Sequence, residues 1–218
     1  MTKLMAFVVS ISLFMSIGAD AHDLIQPDWR GQEGTTYQEW RFDTDANPAV
    51  PDVINNDYGD ASASITVGFM GSGWLYELGF GSQTGHWDLG GNGGQIIIDI
   101  DNRPLELEYK EIWLQVTYYM DISQPPSVEV PNAAFLGGET LLVEDLGMGG
   151  WFLDLSKWRI EPNPDHEQII LTSDANWGSM IDQIVVDTIC IPEPASIGLL
   201  VLGALTVLRK RQPRENIL

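Results

Sequence analysis

The strongest constraint on the fold is an alternation of apolar and polar residues with a period of two. Residues 112–120 place Ile, Leu, Val, Tyr and Met at every second position, and residues 74–80, 96–100 and 105–109 repeat the pattern. This period predicts β-strands with one face in the core. Further strands are predicted in six segments: 37–42, 64–69, 140–143, 151–155, 168–172 and 183–189.

Clusters of Gly, Pro and Asn separate these segments, and no long amphipathic helix interrupts them. About ten short strands in about 170 residues are typical of an all-β, two-sheet antiparallel sandwich. We therefore predict a jelly-roll-like domain over residues 22–190. An N-terminal signal helix and a short C-terminal transmembrane helix are expected to flank it.

The N-terminus has the three parts of a secretory signal peptide. Lys3 supplies a positive charge, residues 4–17 are uncharged and largely apolar, and Ala19-Asp20-Ala21 places small residues at a cleavage site. We predict a signal peptide over residues 1–21, which makes His22 the first residue of the mature protein.

The C-terminus combines a short motif, an apolar stretch and a basic cluster. Pro192-Glu193-Pro194 precedes the apolar residues 197–208, and Arg209-Lys210-Arg211 follows them. The apolar stretch predicts a short membrane helix, and the basic cluster predicts a cytoplasmic end.

This C-terminal segment, residues 191–218, resembles the PEP-CTERM sorting signal of Gram-negative bacteria. The order is the same: Pro-Glu-Pro, a Leu/Gly/Ala-rich helix, then an Arg-rich tail. The resemblance implies that Pro192, Glu193 and Pro194 are recognised by an exosortase, a membrane transpeptidase. It further implies export across the inner membrane, a membrane-anchored stage, and delivery to the cell surface or extracellular matrix. A closing strand beside the sorting signal is similar to the arrangement in PEP-CTERM proteins with jelly-roll ectodomains.

The charge between the terminal signals is strongly negative. Five of the 11 Lys and Arg residues and three of the 31 Asp and Glu residues lie in the signals, which leaves six basic and 28 acidic residues. Such a surface repels nucleic acid and anionic lipid. The only cysteine, Cys190, excludes an intrachain disulfide.

A calcium site is one candidate function of the acidic residues. Asp43, Asp45 and Asn47 place oxygen ligands at alternate positions, although Pro48 and Ile54 stand where an EF-hand needs Gly and Glu. The alternative is a solvated acidic loop.

An aromatic platform for carbohydrate is a second candidate. Trp113 and Tyr119 lie on the strand face opposite the Ile/Leu/Val face, where exposed rings could stack on sugars. The alternative is that a loop covers this face.

Catalytic signals are sparse. A mature N-terminal His22 could bind copper with His86 or His166, but a flexible terminal histidine is the simpler interpretation. The chain has no Gly-x-Ser-x-Gly, His-Glu-x-x-His or P-loop motif. We therefore predict a non-enzymatic surface or matrix protein with extracellular polysaccharide as its candidate ligand. The alternative is a secreted carbohydrate-active enzyme: a hydrolase, a lyase or a copper oxygenase.

Overall fold

A computed structural model of the chain describes residues 23–77, 81–103, 108–121 and 123–191. The predicted signal peptide, His22 and the sorting segment from Pro192 onwards lie outside the described residues. Within the described ranges, no helix has the length and apolar character needed to cross a bilayer.

The described residues form twelve β-strands. These are β1 (Thr35–Trp40), β2 (Val53–Asn55), β3 (Ala61–Thr66), β4 (Gly73–Leu75), β5 (His86–Asp88), β6 (Gln95–Asp101), β7 (Tyr109–Met120), β8 (Ser127–Glu129), β9 (Ala133–Asp145), β10 (Gly150–Ile160), β11 (His166–Thr172) and β12 (Met180–Ile191).

The strands form two antiparallel sheets. The large sheet has eight strands and follows the order β2-β1-β12-β7-β10-β9, with β5 added beside β12 and β4 beside β5. The small sheet has the order β3-β6-β11-β8. The strand β12 is central, because it pairs with β1 along one edge and with β7 along the other.

The core lies between the two sheets. Leu114 and Val186 from the large sheet and Ile98 and Ile169 from the small sheet belong to one cluster of fully buried side chains. In β7, Ile112, Leu114 and Val116 face this core, as the period of two predicts. The structure therefore confirms an all-β fold of two antiparallel sheets.

The edges of the sheets differ most from the predicted strands. β9 runs from 133 to 145, whereas only residues 140–143 were expected. β4 (Gly73–Leu75) shares residues 74 and 75 with the predicted strand 74–80, whose residues 78–80 lie outside the described part of the chain, as do residues 105–107 of the predicted strand 105–109. β2, β5 and β8 were not predicted, because three residues are too few to show a period.

The N-terminal segment crosses the outer face of the large sheet. The Ile25 backbone exchanges two 3.0 Å hydrogen bonds with the Gln115 side chain. Arg30 donates to both carboxylate oxygens of Asp187 at 2.5 Å and also pairs with Asp23. Burial raises the pKa of Asp187 to about 6, although Arg30 opposes this shift. The segment thus covers a sheet face that would otherwise meet solvent.

A polar cluster closes the interior where β12 finishes, at what we call the C-terminal end. Lys110 Nζ lies 2.5 Å from Glu167 Oε1, and neither side chain is exposed. The Cys190 thiol donates to Asn102 Oδ1 at 3.2 Å and to Asn163 Oδ1 at 3.3 Å. Burial raises the pKa of both Glu167 and Cys190. The last strand is therefore held by buried polar groups up to its final residues.

Candidate functional site

A groove lies beside the exposed edge of the large sheet. β8 has three residues, whereas β9 and β10 have 13 and 11, so part of the inner face of β9 and β10 extends past the small sheet. The resulting cavity, which we call the β9 groove, has a volume of about 660 Å³. This volume lies in the range of small-molecule sites, about 300–1,000 Å³.

Two aromatic rings stand at one end of the β9 groove. Phe135 of β9 and Trp158 of β10 have ring centroids 5.0 Å apart and an interplanar angle of 60°. Phe135 is 59% exposed. A β-bulge, in which Leu136 has no partner on β10, brings Phe135 into register with Trp158. The bulge therefore aims both rings at the same face.

Polar groups follow the rings along the groove. Trp158 Nε1 donates to Ser156 Oγ at 2.9 Å, which fixes the indole. Asp154 Oδ1 accepts from the Tyr118 hydroxyl at 3.2 Å, and Thr140 pairs with Asp154 across the strands. Ser156 and Asp154 thus place a hydroxyl and a carboxylate on the same strand face as the Trp158 ring, two and four residues away along β10.

Gly138 allows β9 to lie close to β10 beside the groove. A Cβ atom there would lie 2.3 Å from the backbone oxygen of Leu155, too close for any side chain. The close approach of β9 to β10 therefore requires glycine at this position.

The two residues of the predicted platform are not exposed together, because Trp113 is half-buried and Tyr119 is buried. The Trp113 ring meets Trp29 of the N-terminal segment edge-on, with centroids 6.0 Å apart, and Lys157 Nζ lies 3.7 Å from its centroid. Tyr119 is buried, packs against Trp151 and donates its hydroxyl to the Met148 backbone oxygen at 3.2 Å. Both rings lie on the outer face of β7, as the alternation predicts. Other parts of the chain pack against them there: Trp29 against Trp113, and the segment around Met148 against Tyr119.

The predicted calcium ligands Asp43, Asp45 and Asn47 lie in one exposed loop, in which the Asn47 side chain is hydrogen-bonded to β3. Asn47 uses both ends of its amide on the Ile65 backbone: Nδ2 donates to the carbonyl at 2.7 Å and Oδ1 accepts from N–H at 2.9 Å. Asp43 and Asp45 are exposed. In the described part of the chain, no group of three or more His, Cys, Asp or Glu residues has the arrangement of a metal site.

The two described histidines have opposite environments. His86 is fully buried, and neither ring nitrogen has a hydrogen-bond partner; its ring packs on Trp151 with centroids 5.7 Å apart. Burial lowers the pKa of His86 to about 4. His166 is exposed, with Nε2 3.6 Å from Asp99 Oδ1. Because His86 is enclosed, it is poorly placed to bind copper together with a mature N-terminal histidine.

Comparisons with family models, with curated proteins and with solved structures gave no match for this chain.

Proposed function

We propose that this chain is an exported, non-enzymatic surface or matrix protein that binds neutral polysaccharide in the β9 groove. Under this proposal the two sheets are a jelly-roll-like scaffold for the groove. The observation that carries the proposal is the exposed Phe135 ring, held against Trp158 at the mouth of an open cavity.

The lining of the groove matches the chemistry of a sugar chain. A pyranose has an apolar face that packs on an aromatic ring and hydroxyls that hydrogen-bond to carboxylate and hydroxyl oxygens. Phe135 and Trp158 supply the rings, and Asp154, Thr140 and Ser156 supply the polar groups. An open groove also admits a polymer, whereas an enclosed pocket admits only a small molecule.

The net negative charge of the chain determines which class of polysaccharide can bind. The segment between the predicted signals has 28 acidic and six basic residues. Five of these six contact an acidic partner or an aromatic ring, as Arg30 and Lys110 do with Asp187 and Glu167. Anionic polysaccharides are therefore repelled, and the ligand class is neutral.

The sorting proposal rests on the terminal sequences. We propose that the chain is exported through residues 1–21, is held in the membrane by the helix ending at Arg209-Lys210-Arg211, and is processed by an exosortase at Pro192-Glu193-Pro194. The Glu193→Ala variant should then remain uncleaved in the membrane fraction, as measured by immunoblot of cell fractions. Normal release of this variant would refute the sorting proposal.

Glycan binding can be tested on an array of neutral and anionic oligosaccharides with the full chain in mild detergent. We expect binding to a neutral glycan and a loss of about tenfold or more in affinity for Phe135→Ala, which removes an anchoring ring. Tyr76→Ala is the matched control, because Tyr76 is 63% exposed and lies outside the groove. Equal binding by both variants would exclude the groove as the site. Repeating the array with a chelator tests the calcium hypothesis.

A carbohydrate-active enzyme remains the alternative, because Asp154 and Glu139 both line the groove. Asp154 pairs with Thr140 and Glu139 pairs with Leu155, so the two carboxylates extend from successive positions toward opposite sheet faces. A glycosidase instead needs two carboxyl groups that flank one bond. Release of reducing sugar from a bound glycan, lost in Asp154→Asn, would favour the enzyme.

A further inference from the structure

Three exposed apolar side chains meet where β12 begins, at what we call the loop end. Phe69 is 71% exposed, Met70 83% and Trp177 67%. They lie on two loops, 67–72 and 173–179, on either side of a cavity of about 290 Å³. We call these three residues the loop platform. Apolar side chains exposed together in this way are typical of binding surfaces rather than of inert loops.

The backbone beneath Phe69 and Met70 is fixed. The N–H of Phe69 donates to the Asn92 carbonyl at 3.0 Å, and the Phe69 carbonyl accepts from Gly91 at 2.8 Å. Met70 has φ +62°, a conformation that residues other than glycine rarely adopt. The chain therefore holds an apolar side chain outward at a strained position, and strained backbone positions are concentrated at functional sites.

The backbone of Trp177 is fixed as well. Asp174 Oδ1 accepts from the N–H groups of Asn176 at 2.9 Å and Trp177 at 2.8 Å, and the Asp174 carbonyl accepts from Gly178 at 3.0 Å. Gly178 then packs directly on Gly90 of the neighbouring loop. An exposed ring on a fixed turn binds a ligand with little loss of conformational entropy.

The cavity between the rings is partly polar. The carboxylate of Asp88 accepts from the N–H groups of Ser72 at 2.9 Å and Gly90 at 3.0 Å, and Asp88, Ser123 and Asn176 all line the cavity. A lipid tail or an apolar protein surface would desolvate this carboxylate without a compensating bond. A hydroxyl group could donate to its remaining lone pairs.

The surrounding charge restricts the ligand further. Neither loop that carries the platform contains Lys or Arg; Asp88 lines the cavity, and the Asp174 carboxylate accepts from the backbone N–H of Trp177. Anionic lipid headgroups, phosphates and acidic sugars are therefore repelled. The small cavity suits a single ring rather than a chain.

We propose that the loop platform is a second carbohydrate site, which takes one neutral sugar ring against Trp177. The proposal rests on the proposed function for its ligand class, but on none of the residues of the β9 groove. Trp158 of the groove pairs with Ile112, which pairs with Thr188 of β12, whereas Trp177 precedes Met180, the first residue of that strand. Eight strand steps separate Met180 from Thr188, a distance of about 26 Å along the strand. A chain with two separate sites can connect two glycan strands.

The test compares Trp177→Ala with Phe135→Ala on the neutral oligosaccharide array, with Tyr76→Ala as the control. Trp177→Ala should lose about tenfold in affinity for at least one glycan that Phe135→Ala still binds. Beads coated with a glycan that binds at both sites should be agglutinated by the unaltered chain but by neither single variant. If Phe135→Ala binds normally while Trp177→Ala does not, the groove is excluded and the loop platform stands.

Three results would overturn the proposal. The first is a Trp177→Ala binding profile identical to that of Tyr76→Ala. The second is a Trp177-dependent binding of phosphatidylcholine vesicles without any change on glycans. The third is a Trp177-dependent self-association in light scattering, again with unchanged glycan binding. Absence of binding to any neutral glycan by the unaltered chain would overturn both carbohydrate proposals.

Discussion

The two ends of the molecule are closed by different kinds of interaction. At the C-terminal end, Lys110 and Glu167 form an ion pair with neither side chain exposed, and Cys190 contacts two asparagines. At the loop end, glycine-rich loops interlock through backbone hydrogen bonds, among them Gly68 N–H to the Leu89 carbonyl at 2.8 Å.

The difference decides which side chains are free to meet a ligand. At the C-terminal end, the Lys110 and Glu167 side chains bind each other in the interior, so neither of them is accessible to a ligand. Where backbone groups satisfy one another, the side chains of Phe69, Met70 and Trp177 are left outside. The comparison predicts large stability effects from side-chain changes at the C-terminal end and small ones at the loop end.

The largest effect is expected from removing one partner of the buried ion pair. Lys110→Met should lower the free energy of unfolding by about 3–5 kcal/mol, because it leaves the Glu167 carboxylate buried without a counter-charge. The double variant Lys110→Met/Glu167→Leu should recover most of this loss. Denaturant unfolding of both variants measures the loss in free energy of unfolding. If Lys110→Met were as stable as the unaltered chain, the proposed difference between the two ends would be wrong.

The next effect concerns pH and the buried His86. Its pKa is about 4 in the folded state and about 6.5 when unfolded, so the unfolded state binds the proton first. Stability should therefore fall by about 3 kcal/mol as the pH is lowered from 6.5 to 4.

Asp187, whose pKa is raised to about 6, changes stability in the opposite direction, with a gain as the pH falls from 6 toward 3.8. The difference between the unaltered chain and His86→Gln isolates the histidine. His166→Gln, at an exposed position, is the matched control for replacing a histidine by glutamine.

A smaller effect is expected from glycine substitution at the loop end. In Gly90→Ala the new Cβ would lie 2.3 Å from the Gly71 nitrogen at φ +62°, which should cost about 1–3 kcal/mol. Gly31→Ala is the matched control: φ is +79° there, but no atom lies within 4 Å of the added Cβ. Equal melting temperatures for the two variants would show that the loops do not interlock as described.

The smallest effect is expected from Trp177→Ala. The side chain is mostly exposed, so the free energy of unfolding should change by no more than about 0.5 kcal/mol. Thermal melting monitored by circular dichroism measures this. A much larger loss would assign Trp177 to the packing of the loop end instead of to ligand contact.

The sequence predicted strands well where one face is buried and poorly elsewhere. β6 and β11 alternate clearly because one face meets the core, and β7 alternates in its sequence, whereas β12 is buried on both faces over residues 181–188. β9 is exposed on both faces and contains Gly137-Gly138, so no alternation marks its full length.

The candidate sites could not be predicted from local sequence patterns, because they depend on contacts between residues that are far apart in the chain. Trp113 is covered by Trp29, 84 positions earlier in the chain, and the Phe135–Trp158 pair requires a bulge in the β9–β10 register. Trp177 could have been found from the sequence, because an aromatic residue within the turn-forming sequence Ser-Asp-Ala-Asn-Trp-Gly-Ser indicates an exposed ring.

The central position of β12 has a mechanical consequence. Tension between Ile191 and a ligand held at the loop end would act along the strand, which is hydrogen-bonded to β7 along almost its whole length and to β1 over residues 184–189. Because Trp177 lies three residues before Met180, the covalent backbone of β12, which is already extended, would carry the load, and neither ladder would have to break. Pulling Ile191 away from Thr35, its neighbour at the same end, would instead open the β1–β12 ladder one bond at a time. The fold therefore resists force along the axis that joins its C-terminal end to its loop platform.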